Sequence, residues 1–356
     1  MTISVNADFS GAPIVAQAYI DALPSYDHIS IFGKRSNHKL FENTSKQFEL
    51  PDLENSFNIF KLFSNGRNIY SIILKERPDI VICHSAVASI FGRLFWLRYR
   101  YKLILVNHGW PWRGFGFLES LLIKSVELLL YLISRATVIY LSEIEKKNAP
   151  TFVLKHSKPA VIYNSISNKK LNKKMPLDTR KNNFLSSNKL TIAMIARVDR
   201  SKDHQKLIDA CKLTSLPINL VLVGEGTEGF TSEVDNNGFE VMGLGIKKNI
   251  FQVIEACDLV CLISKFETAP MSLIEACAFG KPIIASNVGS IPSIVLDGYN
   301  GYLVENNEKS IKTAIEKLYA SNELRKKMGN KSIEHFDNHF SFNKFKEKVR
   351  SLVGEK

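Results

Sequence analysis

Short apolar runs alternate with longer helix-like stretches along nearly all of this 356-residue chain. Such alternation is typical of βα units, which build parallel sheets with helices packed on their faces. The pattern runs through residues 1–168, is interrupted at 169–189 and restarts at Leu190. We expect two α/β domains, at 1–168 and 190–338, and a closing helix in 339–356. The predicted strands are Thr2–Val5, His28–Phe32, Ile80–Cys83, Leu103–Val106, Val138–Leu141, Val161–Tyr163, Leu190–Ile195, Asn219–Val223, Phe239–Met242, Leu259–Ile263 and Pro282–Ala285. Helices are predicted between them, including Pro13–Leu23, Asn65–Lys75, Ser85–Arg98, Phe117–Ser134 and Met271–Phe279.

The interrupting stretch, 169–189, is polar, basic and rich in Asn and Ser, which is typical of a linker between domains. It contributes to a net charge of +12 and a pI near 9.3. A basic surplus of this size fits nucleic acid, an anionic membrane face or an acidic substrate. Because the chain has neither zinc-finger spacing nor an aromatic RNA-binding signature, we do not expect a nucleic-acid partner.

The cysteines and the amino-terminal sequence bear on the compartment. Five cysteines are scattered through apolar contexts, which predicts buried, reduced thiols in a cytoplasmic protein. Cys257 and Cys261 have no matching Cys or His cluster, so we expect no metal site there. The start, MTISVNADFSG, does not read as a signal peptide, and no window of 18 apolar residues predicts a membrane-spanning helix.

Two carboxylates eight positions apart, Glu267 and Glu275, indicate a ligand site. Glu267 follows the predicted strand Leu259–Ile263, and Pro270 is suited to the first turn of the next helix. The free amides of that turn, from Thr268 to Ser272, favour an anion such as a diphosphate. Carboxylates accept hydrogen bonds from the hydroxyls of a sugar or a ribose. The alternative is a solvated helix end, but the arrangement predicts a sugar-nucleotide pocket.

The stretch from Ser264 to Val304 resembles the donor-binding segment of the retaining glycosyltransferases of family 4, which have the GT-B fold. The resemblance rests on E-x7-E followed by matching spacings at Ala276, Gly280, Pro282, Val288, Gly289, Asp297, Gly298, Gly301 and Val304. It covers nearly the whole chain and is sharp from about Leu190 to Val304. It implies two Rossmann-like α/β domains facing each other across a cleft, with the last helix crossing back onto the first domain.

The resemblance also implies roles for the residues of this segment. Glu275 is expected to bind the ribose hydroxyls, and Glu267 the hydroxyls of the transferred sugar, so we class Glu267 as catalytic. Thr268, Ala269 and Pro270 stand where the family frequently has Gly-Phe-Pro or Gly-Phe-Gly, and they are expected to contact the donor sugar.

A basic pair five positions apart, Arg197 and Lys202, lies on the loop after the predicted strand Leu190–Ile195. Such cations can neutralise the charge that develops on a departing diphosphate, and family 4 has an Arg and a Lys at this spacing. Gly224 and Gly226 end the next strand and allow a tight turn or close approach of a ligand. The donor base is expected at Leu244, Gly245 and Ile246, where the family packs it against the backbone.

Two positions of the first domain match the family in part. Gly11 follows the first strand where the family usually has a Gly pair, and it is expected to approach the reacting sugar. His108 follows the predicted strand Leu103–Val106, where the family places a histidine near the anomeric carbon. We class His108 as catalytic; the alternative is a structural histidine.

Aromatic and basic residues are mixed in Arg93–Lys102 and Trp110–Arg113, and the apolar helix predicted at Phe117–Ser134 follows. Such mixtures suit the membrane interface, and the alternative is a core helix with a basic flank. The family often uses lipid-linked acceptors, so a peripheral contact with the inner membrane face is one expectation.

The sequence thus predicts a cytoplasmic, retaining hexosyltransferase that uses a nucleotide-diphosphate sugar and no metal or other cofactor. The acceptor would be a glycan or lipid-linked glycan in bacterial surface polysaccharide synthesis. The alternatives are a sugar-nucleotide epimerase of GT-B fold, which the R-x4-K and E-x7-E motifs argue against, and a non-catalytic sugar-nucleotide-binding protein.

Overall fold

A computed structural model describes residues 1–4, 11–33, 41–50, 53, 59–112, 115–167, 171, 189–231, 234–247 and 249–355. The chain divides into two compact units, one formed by Met1–Ser165 with Phe342–Lys356 and the other by Ile166–Ser341. The predicted linker at 169–189 lies outside the described residues, apart from Leu171 and Lys189.

The first unit is built on a parallel sheet with the strand order β3-β2-β1-β4-β5-β6-β7. Its strands are β1 (Thr2–Ile3), β2 (Ile29–Phe32), β3 (Lys46–Glu49), β4 (Ile80–Cys83), β5 (Lys102–Asn107), β6 (Ala136–Tyr140) and β7 (Lys158–Val161). Its helices are α1 (Gly11–Ala22), α2 (Ile59–Glu76), α3 (Ala86–Tyr99), α4 (Phe117–Ile133), α5 (Glu143–Lys147) and α6 (Thr151–His156).

The second unit has a parallel sheet with the order β10-β9-β8-β11-β12-β13. Its strands are β8 (Leu190–Ile195), β9 (Ile218–Val223), β10 (Glu240–Gly243), β11 (Leu259–Leu262), β12 (Ile283–Ser286) and β13 (Gly301–Val304). Its helices are α7 (His204–Thr214), α8 (Phe251–Ala256), α9 (Met271–Ala278), α10 (Glu308–Ala320) and α11 (Asn322–His339). The closing helix α12 (Phe342–Val353) belongs to the first unit, where Phe345 packs edge-on against Tyr19 of α1 with ring centroids 5.0 Å apart.

The central strands form because their sequences are continuous apolar runs, which parallel strands need when helices cover both faces of the sheet. Every residue of β9, β11 and β12 is buried, as are the inner residues of β4 and β5. Four helices, α3, α5, α10 and α11, begin where a polar side chain accepts a hydrogen bond from one of the first free amides. Ser85, for example, accepts a hydrogen bond from the Ala88 amide at 3.1 Å at the start of α3.

The strand order places one switch point in each sheet, between β1 and β4 in the first unit and between β8 and β11 in the second. At such a point the connections that follow the two neighbouring strands go to opposite sides of the sheet. A crevice therefore opens beyond the carboxyl ends of these strands. Residues that follow β1, β4, β8 and β11 are therefore placed to bind ligands.

The predicted α/β class with two parallel sheets is confirmed, and several details of the prediction were wrong. The last strand of the first sheet is Lys158–Val161 rather than Val161–Tyr163. Two strands were missed: Lys46–Glu49 is an exposed edge strand of polar sequence, and Gly301–Val304 begins with a glycine. Within the described residues, no helix has the length and apolarity needed to cross a membrane.

Candidate active site

The loops that follow β8 and β11 are joined to each other at the switch point of the second sheet. Lys202 and Ser264 form an isolated antiparallel bridge, and the Asp203 amide donates to the Ile263 carbonyl at 2.9 Å. Since these contacts fix the two loops side by side, they bring Lys202 next to Glu267, although 65 positions separate the two in the sequence.

Lys202 and Glu267 form a largely buried ion pair. Lys202 Nζ donates to Glu267 Oε1, and Ser264 Oγ donates to the same oxygen at 2.8 Å. Gly289, which has a φ of +56°, packs against the backbone of Glu267. A Cβ at Gly289 would lie 1.7 Å from the Glu267 carbonyl oxygen, so only glycine fits there. Glu267 is therefore held in place by both a side-chain cation and its own backbone.

Glu275 lies on α9, which begins at Met271 immediately after Pro270, as the sequence predicts. The Glu275 side chain is buried, at 4% exposure, while Thr268, Ala269 and Pro270 are half-buried in the turn before the helix. The positive end of the α9 dipole thus faces the same turn as Glu267.

Arg197 occupies the same loop as Lys202 but has a different carboxylate partner. Its Nε donates to Asp199 Oδ2 at 2.9 Å, and its side chain is 64% exposed. The Ser201 amide and hydroxyl donate to Asp199 Oδ1 at 2.7 and 2.6 Å. Burial by itself would raise the Asp199 pKa, but these hydrogen bonds from Ser201 and Arg197 outweigh it and lower the pKa to about 2. Arg197 and Lys202 are thus each paired with a carboxylate in this structure, and they share no partner.

The fold itself explains the two glycines that follow β9, Gly224 and Gly226, which are predicted to bind the donor. Gly224 has a φ of +144°, and a Cβ there would lie 2.3 Å from the Ala196 carbonyl oxygen. Gly226 has a φ of +82° and lies against Val198. Both glycines therefore let the turn after β9 pack closely on the loop after β8.

The segment expected to contact the base lies against that same turn. The Gly245 amide donates to Thr227 Oγ1 at 2.9 Å, and the Leu244 amide donates to the Leu222 carbonyl at 2.8 Å. Leu244 is half-buried and Ile246 is 62% exposed. The exposed apolar side chain of Ile246 thus lies next to a backbone segment, Leu244–Gly245, that hydrogen bonds hold in place.

At the carboxyl edge of the first sheet, the structure pairs His108 with a second histidine, His84. His84 follows β4 and His108 follows β5, and His84 Nδ1 lies 3.3 Å from His108 Nε2. Burial lowers the pKa of His108 to about 4. Burial is the larger cause, and the neighbouring His108 the smaller, of a pKa for His84 that lies well below its usual range. Both rings are therefore neutral at pH 7.

A polar cavity of about 70 Å³ lies beside His108, between the sheet and helices α3 and α4. Its wall includes Arg93, whose guanidinium donates two hydrogen bonds of 2.8 Å to the Glu127 carboxylate. Asn107 and Trp110 also line it, and their Nδ2 and Nε1 atoms are buried donors with no hydrogen-bond partner among the described residues. A cavity of this size holds one or two water molecules or a single hydroxyl-bearing group.

Gly11 is the first residue of α1 and is exposed, and the loop before it, including Ser10, lies outside the described residues. Sequence reasoning missed His84, Asp199 and Ser264. The signal for His84 was its position after a strand that neighbours the strand before His108. Among the described residues, no group of three or more His, Cys, Asp or Glu side chains is placed to hold a metal ion.

Two parallel-sheet α/β units, with cations and carboxylates at the switch point of the second sheet, agree with the GT-B glycosyltransferase class that the sequence resembles. The protein-family model "Glycosyltransferase Family 4" matches residues 10–170, and the model "Glycosyl transferases group 1" matches residues 177–335. Between them these models span most of the sequence. The chain belongs to glycosyltransferase family 4.

Individual relatives agree with this assignment. An uncharacterized glycosyltransferase of Methanocaldococcus jannaschii is 34% identical over 155 residues, which are 42% of this chain and 43% of that protein. The O-antigen biosynthesis glycosyltransferase WbnH of Escherichia coli is 28% identical over 276 residues, 76% of this chain and 75% of WbnH. The crystal structure of Anabaena HepE in complex with UDP and glucose has a TM-score of 0.74 at 18% identity, covering 99% of both chains. The HepE likeness concerns the fold.

Proposed function

We propose that this enzyme is a retaining hexosyltransferase that moves a hexose from a nucleotide-diphosphate sugar to a glycan in bacterial surface polysaccharide synthesis. The observation that carries the proposal is the Lys202–Glu267 pair at the switch point of the second sheet, beside the start of α9. A cation and a carboxylate side by side suit a diphosphate and a sugar hydroxyl, respectively. The O-antigen relative WbnH supports the polysaccharide setting.

On the donor side, Lys202 releases Glu267 and turns to the diphosphate, and Glu267 accepts hydrogen bonds from hydroxyls of the sugar. Arg197 joins Lys202 in neutralising the charge of the leaving nucleotide, so no metal is needed. Glu275 accepts hydrogen bonds from the ribose. The backbone of Thr268, Ala269 and Pro270 and the turn at Gly224 and Gly226 approach the phosphates and the sugar. Leu244, Gly245 and Ile246 contact the base.

On the acceptor side, His108 contacts the sugar near the anomeric carbon, and Gly11 approaches the same sugar. Because His108 is neutral at pH 7, it forms a hydrogen bond without placing a positive charge beside an oxocarbenium-like centre. The bond between the anomeric carbon and the phosphate oxygen breaks, and the acceptor oxygen bonds to the same face. The departing phosphate takes the acceptor proton, and attack on the face that the phosphate leaves gives retention.

The acceptor in this proposal is a lipid-linked glycan, and the enzyme works in the cytoplasm in peripheral contact with the inner membrane face. The family assignment favours transfer over the two alternatives. An epimerase would change the donor sugar with no acceptor present, and a non-catalytic protein would bind the nucleotide and neither hydrolyse nor transfer the sugar.

A donor screen by thermal shift in EDTA tests the donor pocket. UDP-, GDP-, dTDP- and ADP-sugars are compared on wild type, on Glu275→Ala and on Glu255→Ala, an exposed glutamate of α8 that serves as the matched control. We expect one nucleotide class to raise the melting temperature, with the rise lost in Glu275→Ala and kept in Glu255→Ala. UDP-sugars are tried first, because HepE was crystallised with UDP and glucose. A folded wild type that responds to no donor would contradict the proposal.

The stereochemistry is tested separately by NMR of the product formed from an α-linked donor. We expect an α-linked product. A β-linked product would overturn retention and leave the donor assignment standing.

A further inference from the structure

Helix α4 exposes large apolar side chains along its whole length on the outer surface of the first unit. Its buried residues are few: Glu127, Leu130 and Tyr131. Phe117 is 83% exposed, Leu118 77% and Leu122 67%. The exposed apolar side chains, here called the α4 surface, are Phe117, Leu118, Leu121, Leu122, Val126, Leu129, Leu132 and Ile133. A helix that is apolar on nearly every side is normally buried, so this surface is expected to contact another protein or a membrane.

The charges around the α4 surface are positive. Exposed basic side chains lie on the helix and at the neighbouring ends of α3, β5 and β6: Arg98, Arg100, Lys102, Lys124 and Arg135. Lys102 is the first residue of β5 and Arg135 directly precedes β6, so they lie just before the paired residues Leu103 and Ala136 of two adjacent strands.

The two acidic residues of α4 offset little of this charge. Glu127 is neutralised by Arg93 in the interior, so Glu119 is the one acidic residue of α4 that adds negative charge to this surface; its Oε2 accepts from the Gly116 amide at 3.1 Å.

Aromatic rings accompany the cations in the same region. Arg100 stacks over Trp96 at 4.3 Å, and Lys124 Nζ lies 5.8 Å from the centre of the Trp112 ring. Apolar side chains on one face with lysine, arginine and tryptophan beside them suit a helix that lies in the plane of a membrane interface.

Charge decides between a bilayer and a second copy of the chain. A two-fold dimer would place the α4 surface of one copy on that of the other, because such contacts use the same patch twice. It would therefore bring two sets of basic side chains, Lys124 and Arg135 among them, into one contact. An anionic bilayer instead offers acyl chains to the leucines and phosphates to the cations.

We propose that the α4 surface docks in the plane of an anionic lipid bilayer. This inference rests on the proposed function for its purpose, since a docked enzyme meets a lipid-linked acceptor at the surface. The chain direction agrees with that purpose: α4 starts shortly after β5 ends, so Phe117 and Leu118 lie at the sheet edge that carries His108. A helix in the plane of the bilayer has both ends at the headgroups, so docking brings that edge to the lipid together with the opposite edge, which carries Lys102 and Arg135.

Flotation with vesicles tests the proposal, using phosphatidylcholine alone or with 30% phosphatidylglycerol. Wild type is compared with Leu118→Glu/Leu122→Glu. The matched control is Leu213→Glu/Val234→Glu, which replaces two exposed apolar residues of the second unit and adds the same two negative charges. A second pair is Lys124→Glu/Arg135→Glu and the matched Lys212→Glu/Lys309→Glu. Far-UV circular dichroism verifies that every variant is folded.

We expect wild type and both control variants to float with phosphatidylglycerol vesicles and to dissociate at high salt. The Leu118/Leu122 and Lys124/Arg135 variants should lose at least tenfold in vesicle-bound fraction. Wild type that stays unbound, or docking variants that bind as well as their controls, would overturn the proposal. So would a wild-type dimer in sedimentation velocity that Leu118→Glu/Leu122→Glu converts to monomer.

Donor binding in the thermal-shift screen separates this proposal from the function. We expect the Leu118/Leu122 variant to respond to the donor as wild type does. Docking without any donor response would contradict the proposed sugar transfer alone. A donor response without docking would contradict this inference and the proposed membrane contact, and it would leave the donor assignment standing.

Discussion

The two units each contain a buried ion pair, and the two pairs are built differently. In the first unit, Arg93 and Glu127 join α3 to α4 through two parallel hydrogen bonds of 2.8 Å, with side chains only 1% and 7% exposed. In the second unit, Lys202 and Glu267 join two loops through a single oxygen at a switch point.

The difference separates a structural pair from a functional one. A bidentate arginine satisfies both carboxylate oxygens and leaves little capacity for a ligand. A lysine on one oxygen leaves the second oxygen of Glu267 for another donor, and the ammonium can change partners. The pair in the first unit should therefore govern stability, and the pair in the second unit should govern turnover.

The largest effect is expected in the first pair. Glu127→Gln leaves the Arg93 charge buried without its carboxylate, which should cost about 3–5 kcal/mol of the free energy of unfolding. Urea unfolding followed by tryptophan fluorescence measures it, because all three tryptophans, Trp96, Trp110 and Trp112, belong to the first unit.

The exposed pair Lys331–Glu334 supplies the control, and Glu334→Gln should leave the urea midpoint unchanged. The double change Arg93→Met with Glu127→Leu should recover most of the loss, since an apolar pair of similar volume needs no desolvation. If Glu127→Gln unfolds at the wild-type midpoint, the distinction between the two pairs is wrong.

Lys202→Ala should reduce kcat by on the order of 10²- to 10³-fold, because it removes a positive charge from the leaving diphosphate. Steady-state transfer kinetics measure this, with Lys265→Ala as the matched control. Lys265 is an exposed lysine on the adjoining loop that pairs with Asp203. Equal kcat values for the two variants would place the Lys202–Glu267 pair among structural contacts.

Gly289→Ala should reduce kcat by roughly 10²-fold, because the new methyl group would push the Glu267 carbonyl and shift the carboxylate. Gly298→Ala is the matched control: Gly298 also has a positive φ, of +71°, but a Cβ there meets nothing within 4 Å. Both variants bear the strain of the left-handed conformation, roughly 1–2 kcal/mol. A similar kcat in both would mean that the packing behind Glu267 does not position it.

The smallest effect concerns pH and the first unit. Since the pKa of His108 is lowered from 6.5 to about 4, the unfolded chain binds a proton between these values and the folded protein does not. Stability is thus complete above pH 6.5 and is lost as the pH falls towards 4, by roughly 2 kcal/mol from pH 7 to pH 5. His84 acts in the same direction.

Urea titrations at pH 7 and pH 5 on wild type and His108→Asn measure this linkage by tryptophan fluorescence. The loss between the two pH values should be smaller in His108→Asn. A loss of the same size in the variant would mean that His108 is already protonated at pH 5 in the folded protein.

Much of the fold could be predicted because buried parallel strands have distinctive sequences. The bounds predicted for Ile80–Cys83 and Leu190–Ile195 are those observed, since both are largely apolar runs that begin directly after a charged residue. The edge strand Lys46–Glu49 has the composition of a loop, because one side of it faces solvent and pairing alone defines it.

The candidate site was predictable residue by residue but not contact by contact. Loop position after a strand was enough to select Lys202 and Glu267, whereas their pairing depends on which strands are neighbours, β8 and β11. His84 carried no local signal beyond its place after β4. The apolar character of α4 was evident from the sequence, but which of its faces is covered depends on the packing of α3 and could not be foreseen.

The return of α12 to the first unit has a consequence for biosynthesis. A ribosome releases residues 1–165 before it has made the helix that buries Tyr19, and the intervening 166–341 take on the order of ten seconds or more to translate. During that interval the nascent first unit lacks Phe345 and Val349, both nearly fully buried in the finished fold. The emerging chain therefore exposes the apolar side of α1 that carries Tyr19 until synthesis of the second unit is complete. Chaperones would bind at this apolar surface.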